Sequence, residues 1–112
     1  MSAGLVAPSP RDQRRHRRYQ IRLEVQYKLL SFGLVKRTGS GRTLNISSHG
    51  VLLESEPLLP ERGEIVLEIA WPFLLDGTRR LKFVVRGRIV RSDGKATAVK
   101  FRSYDFRTKR SS

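Results

Sequence analysis

The 112 residues contain no cysteine. No disulfide framework and no thiolate metal site is therefore available, and a reducing compartment is permitted. No stretch approaches the roughly 18 consecutive apolar residues that a membrane-spanning helix needs. The opening, MSAGLVAPSP, has neither a basic n-region nor a long apolar run, so neither a signal peptide nor a membrane anchor is expected. A cytoplasmic location is the expectation. Histidine is scarce: His16 and His49 stand in polar, loop-like settings with no third ligand at metal spacing. No resident cofactor is expected. Ser47 has no Gly-x-Ser-x-Gly elbow around it. Glu54, Glu56, Glu61, Glu64 and Glu68 follow strand and loop spacing and read as solvated faces. Nothing brings a nucleophile, a base and an orienting group together, so an enzyme is not expected.

Positive charge is what the chain has in excess. Twenty-three Lys and Arg against ten Asp and Glu leave a net +13. Charge of this size favours an anionic partner and says nothing about fold. It concentrates in residues 11–22, residues 79–91 and the terminal RTKRSS. Solubility and general polyanion affinity would account for it equally well at this stage.

Hydrophobic periodicity reads almost entirely as strand. From Ile21 the alternation is strict, with Ile21, Leu23, Val25 and Tyr27 on one face and Arg22, Glu24, Gln26 and Lys28 on the other. The glycines of SFGLVKRTGSG suggest a loop or loose hairpin. RTLNIS follows as a strand, with Leu44 and Ile46 on one face and Asn45 and Ser47 on the other. After HG, VLLES resumes the run, and EPLLPERGE is a connection. Ile65, Leu67, Ile69 and Trp71 share a face, PFLLDGT carries the Asp-Gly turn signal, and RLKFVVRGRIV is a long strand. Its Leu81, Phe83, Val85 and Ile89 face inward, Lys82, Arg86 and Arg88 outward, and Gly87 marks a bulge or bend. SDGK is a tight turn, ATAVKF pairs back, and RSYDFRTKRSS is ambiguous between a helical turn and a tail. Short strands with frequent turn signals and no long helix argue for an all-β domain. At this length a small antiparallel six-stranded β-barrel is favoured over a sandwich, because closure removes sheet edges. The expected organisation is a disordered tail over 1–10, the domain with its Arg-rich leading segment over 11–105, and a basic tail over 106–112.

Two polar clusters remain. One is Arg14-Arg15-His16-Arg17-Arg18, just ahead of the first strand, and the other is Asn45-Ile46-Ser47-Ser48-His49-Gly50. Alone, the second is a common turn with an Asx-type side-chain bond. Gly50 would allow a sharp turn or the close approach of a ligand. In order and in this β context, the pair resembles the PilZ domain, a bacterial receptor family for cyclic di-GMP. That family carries Arg-x-x-x-Arg ahead of its first strand and Asp/Asn-x-Ser-x-x-Gly at the end of its second. The late RGRIVRSD followed by AVKF is similar to the family's closing hairpin, and the resemblance covers roughly residues 11–105. Only about ten residues remain beyond it, where many members continue into a longer helix, so at most a short C-terminal helical turn is expected.

The resemblance implies a six-stranded barrel with cyclic di-GMP on its outer surface, held by Arg14, Arg15, Arg18, Asn45, Ser47 and Gly50. Arg17, Ser48, His49 and Arg88 are possible supporting residues. The chemistry suits them. A guanidinium fork matches guanine O6 and N7 bidentately, stacks on a base or clamps a phosphate, while Asn and Ser supply directional hydrogen bonds. Ligand binding is expected to order the Arg-rich segment and present a changed surface to an unidentified protein partner. The alternative is a basic small barrel that binds nucleic acid. Tyr19, Tyr27, Trp71, Phe83 and Phe101 fall mostly on apolar faces, so a row of exposed stacking aromatics is not evident. A domain that makes only protein contacts is a third reading.

Overall fold

In a computed structural model of the chain, residues 20–94 and 96–108 are described. The expected 1–10 tail, Tyr19 and all five residues from Arg14 to Arg18 lie outside them. Six strands follow in chain order: β1 (Glu24–Ser31), β2 (Leu34–Ile46), β3 (Gly50–Ser55), β4 (Gly63–Leu75), β5 (Arg79–Ser92) and β6 (Thr97–Thr108). They form a closed barrel in the order β1-β2-β3-β6-β5-β4, every neighbouring pair antiparallel. The described residues contain no helix, and hence none long and apolar enough to cross a membrane.

The inward faces follow the period-two pattern. Val25, Tyr27 and Leu29 of β1, Ile65, Leu67 and Ile69 of β4, and Phe83, Val85 and Ile89 of β5 meet Val51, Leu53 and Val99 in one core. Leu59, from the β3–β4 connection, joins them. Gly87 sits at a register shift between β5 and β6, the bulge its position suggested.

Three stretches depart from the sequence reading. Of the loop or loose hairpin expected for SFGLVKRTGSG, the hairpin forms, and it is tight. Phe32 and Gly33, at φ 51° and 78°, make a tight two-residue turn, and β2 begins at Leu34. The glycines that suggested a loop lie within β2. Gly39 is opposite Tyr27, and a Cβ there would overlap the Tyr27 ring, so the missing side chain is space for an aromatic. In RTLNIS the register shifts between Thr43 and Asn45. Leu44 is the extra residue of a bulge, so Thr43, fully buried, takes the inward place expected of Leu44, while Ile46 still faces in. Finally, the ambiguous C-terminal stretch is strand: β6 pairs with β5 as far as Thr108.

That last extension, with PFLL continuing β4, lets β4, β5 and β6 project beyond the point where β1 stops pairing with β4 at Ile69. Rings hold the projecting arm together. Trp71 packs on Phe83 and Phe106 at centroid distances of 5.5 and 5.1 Å, and Phe83 stacks on Phe106 at 4.7 Å. Phe73, Tyr104 and Phe106 are about half exposed there, whereas Tyr27 and Phe83 are buried as expected.

Candidate ligand-binding site

The site is built on the turn between β2 and β3. The Ser47 backbone N–H donates to the Gly50 carbonyl at 2.9 Å. The Ser47 hydroxyl accepts from the backbone N–H of His49 and of Gly50, each at 3.2 Å. It thereby shapes the turn as a serine-type turn cap. The Ser48 hydroxyl bonds His49 Nδ1 at 2.8 Å. One residue before the core-facing Ile46, Asn45 points outward opposite Leu52. Its half-buried amide makes no hydrogen bond to another described residue.

Gly50 does something other than turn the chain. Its φ is not in the left-handed range. A Cβ there would lie 2.6 Å from the Val99 carbonyl oxygen of β6. The missing side chain lets β6 approach at this point.

The start of the described chain is tied to this region. Thr43 Oγ1 accepts from the Leu23 N–H at 2.8 Å and donates to the Ile21 carbonyl, while the Thr43 N–H donates to the Leu23 carbonyl at 2.9 Å. A buried threonine thus holds Ile21 and Leu23 two positions before Asn45. The strict alternation gave no hint of this, because it placed Leu44 rather than Thr43 inward.

A basic row extends the turn across the outer wall. Gly50 pairs with Lys100, and Lys100 pairs with Arg88. Val51, Val99 and Ile89, next to these, face the core, so Gly50, Lys100 and Arg88 share the outer face. Arg88 is therefore about 10 Å from Gly50 across two strand spacings. Lys100 stands between them and was missed. Its only sequence signal was the outward place in AVKF. Arg62, Arg88, Lys100 and Arg102 line a shallow groove here, and Arg102 is engaged with Glu64 at 3.2 Å. The turn is fastened to this wall by the Phe101 N–H, which donates to the His49 carbonyl at 2.8 Å. A second groove is lined by Glu24, Glu54 and Glu56 together with Arg42, and Glu54 there is engaged by Arg22 at 2.8 Å.

Asn45, Ser47, Ser48, His49 and Gly50 are thus brought into one turn, and Arg88 onto the adjoining wall. Arg14, Arg15, Arg17 and Arg18 lie outside the described residues. The profile of the PilZ domain matches residues 12–111, nearly the whole chain. The chain belongs to the PilZ family. PilZ domains are cyclic di-GMP receptors that carry out no chemistry on their ligand. The match extends past the expected limit at residue 105, in accord with the long β6. No curated protein matches the sequence.

Proposed function

We propose that this PilZ chain binds cyclic di-GMP between its Arg14–Arg18 segment and the outer wall beside the 45–50 turn. Arg14, Arg15 and Arg18 take the phosphates and guanine edges, while Asn45 supplies a directional hydrogen bond from the wall. Ser47 acts mainly by holding the turn, and Gly50 by letting β6 close against it. Arg88, with Lys100, adds positive charge along the rim. The observation that carries this reading is the Thr43 anchor. Arg18 is three residues from Ile21, and three residues of extended chain reach about 10 Å. Ile21 is itself bonded to Thr43, two positions from Asn45. Arg18 is thereby tethered to the motif turn by a short leash, and Arg14 by one of seven residues.

Dense like charge and no apolar periodicity keep the Arg segment from building a core of its own. Two phosphates offset its self-repulsion and give it a surface to fold against. The ordered segment, the nucleotide and the barrel wall then form a composite surface for a protein partner, in keeping with a cytoplasmic receptor. By linkage, ligand and partner raise each other's affinity by the same factor.

Isothermal titration with cyclic di-GMP at two salt concentrations, against a duplex oligonucleotide as competitor, tests the reading. Saturable binding with nucleotide preference is expected. Steep salt weakening without preference would sink it in favour of general polyanion binding. Amide hydrogen exchange tests the mechanism: protection should appear in residues 11–20 and the 45–50 turn and not spread through the strands.

A further inference from the structure

Two hairpins of this fold each open their turn with a left-handed residue followed by a left-handed glycine, one in a three-residue connection and one in a two-residue connection. At the β4–β5 turn, Asp76 and Gly77 sit at φ 55° and 73°. Asp-Gly is the chemistry such a turn asks for. At the β1–β2 turn, Phe32 and Gly33 adopt φ 51° and 78°. Phenylalanine is poorly suited to the left-handed region, which bulky side chains rarely adopt. It also gains nothing from burial, being 99% exposed. Leu34 and Val35 beside it are 69% and 54% exposed. The hairpin thus carries an apolar tip that neither local conformation nor packing explains.

The flanks of the tip carry one sign of charge. Residues 28–38, KLLSFGLVKRT, hold Lys28, Lys36 and Arg37 and no acid. Lys36 is the extra residue where the β1–β2 register shifts between Leu29 and Leu30. The nearest acid by register is Glu64, opposite Leu30, and it is engaged by Arg102. The β1–β4 ladder ends at Leu30, so Ser31–Leu34 project past it.

We propose that the β1–β2 hairpin is a docking finger for an anionic lipid surface. Phe32, Leu34 and Val35 enter the boundary between headgroups and acyl chains, and Lys28 and Lys36 meet the lipid phosphates, while Arg37 steadies the hairpin by donating to the Leu58 carbonyl at 3.1 Å. A convex tip needs no matching pocket on a bilayer. The two strands beside the turn pair with each other, and the outer edge of β2 before Gly41, which has no second strand beside it, stays at the level of the hydrated headgroups. Apolar insertion and a basic collar are the two signals that together make peripheral attachment stable. A second copy of the chain is a poor occupant, because two bodies of +13 repel. β2 has the finger at its start and the 45–50 turn just past its end, about 40 Å apart along the strand. Docking therefore leaves the proposed nucleotide site turned away from the membrane, and the finger does not depend on that site.

The test uses the full chain in flotation with vesicles of phosphatidylcholine alone and of phosphatidylcholine mixed with phosphatidylglycerol. Binding is expected only to the mixture. Phe32→Asn keeps the net charge and suits the turn better, so its unfolding temperature should equal or exceed that of the parent. Its vesicle affinity should fall about tenfold or more, the worth of one buried phenyl ring. Leu34→Ser should weaken binding in the same direction, and Lys36→Ala should cost about fivefold. Unchanged vesicle affinity of Phe32→Asn would show that overall charge alone holds the protein to lipid. Absence of binding to the mixture, whether the tip then pairs with a protein or with a second copy, overturns the proposal too.

Discussion

Gly50→Ala separates two roles that a motif glycine can have. In the fold, the added Cβ would stand 2.6 Å from the Val99 carbonyl oxygen, which is backbone and cannot swing aside. Ordinary contact begins near 3.4 Å, so β3 and β6 must part by about 0.8 Å at this point. The β3–β6 ladder has only four registered pairs, from Gly50↔Lys100 to Leu53↔Thr97. Gly50 is at its end, so the strain falls on the first pair and on the bond from Phe101 N–H to the His49 carbonyl. Overpacking of this kind costs about 1–3 kcal/mol. For a domain of this size that is a fall of about 5–20 °C in unfolding temperature. Chemical denaturation without ligand measures it, with Ser48→Ala as a control expected to stay within about 0.5 kcal/mol. The packing argument demands that the loss be present before any ligand is added. If Gly50→Ala leaves the free protein as stable as the parent and weakens only cyclic di-GMP binding, the glycine serves the ligand and the reasoning from Val99 is wrong.

Asn45→Ala should lower cyclic di-GMP affinity by about 0.5–1.5 kcal/mol, with stability and duplex affinity unchanged, because its amide bonds no other described residue; titration and thermal melting together check this. Ser47→Ala should lose affinity and also about 1 kcal/mol of stability, since the hydroxyl accepts two turn N–H groups; a melt that stays put would refute the capping role. Arg88→Ala and Lys100→Ala should each flatten the salt dependence of ligand binding by less than one phosphate contact, since both stand on the rim. Arg14→Ala or Arg18→Ala should cost about 1.5–3 kcal/mol of binding and Arg11→Ala much less, with equal losses at all three pointing to charge density instead. Thr43→Val keeps the shape and the backbone bond to the Leu23 carbonyl, removes the hydroxyl's bonds to the Leu23 N–H and the Ile21 carbonyl, and should cost about 1–3 kcal/mol in denaturation. Moving the effective anchor from Ile21 to Leu23 lengthens the leash to Arg18 from three residues to five, which should weaken ligand binding only about twofold.

Much of this protein is legible along the chain because a strand's period is two and a core has one inside. Ile65, Leu67 and Ile69, or Phe83, Val85 and Ile89, declare their face by alternation alone, and the Asp76-Gly77 turn declares itself by composition. The second motif is legible for a related reason: Asn45, Ser47 and Gly50 lie at one turn, so their spacing in sequence is their spacing in space. What alternation cannot reveal is where it is interrupted. The bulge at Leu44 exchanges that residue for Thr43, and with Thr43 comes the anchor that holds the Ile21 carbonyl. Glycine is equally mute about its reason. Gly39 makes room for Tyr27 and Gly50 for the Val99 carbonyl, yet in sequence the first suggested a loop or loose hairpin and the second a sharp turn or a ligand's approach. Both reasons lie on another strand. The same holds for Lys100, which gains its place only because β6 runs between β3 and β5. Local pattern determines which residues can form strands and turns. Which strand lies beside which, and so what a bulge, a glycine or an outward lysine is for, is decided only when the barrel closes.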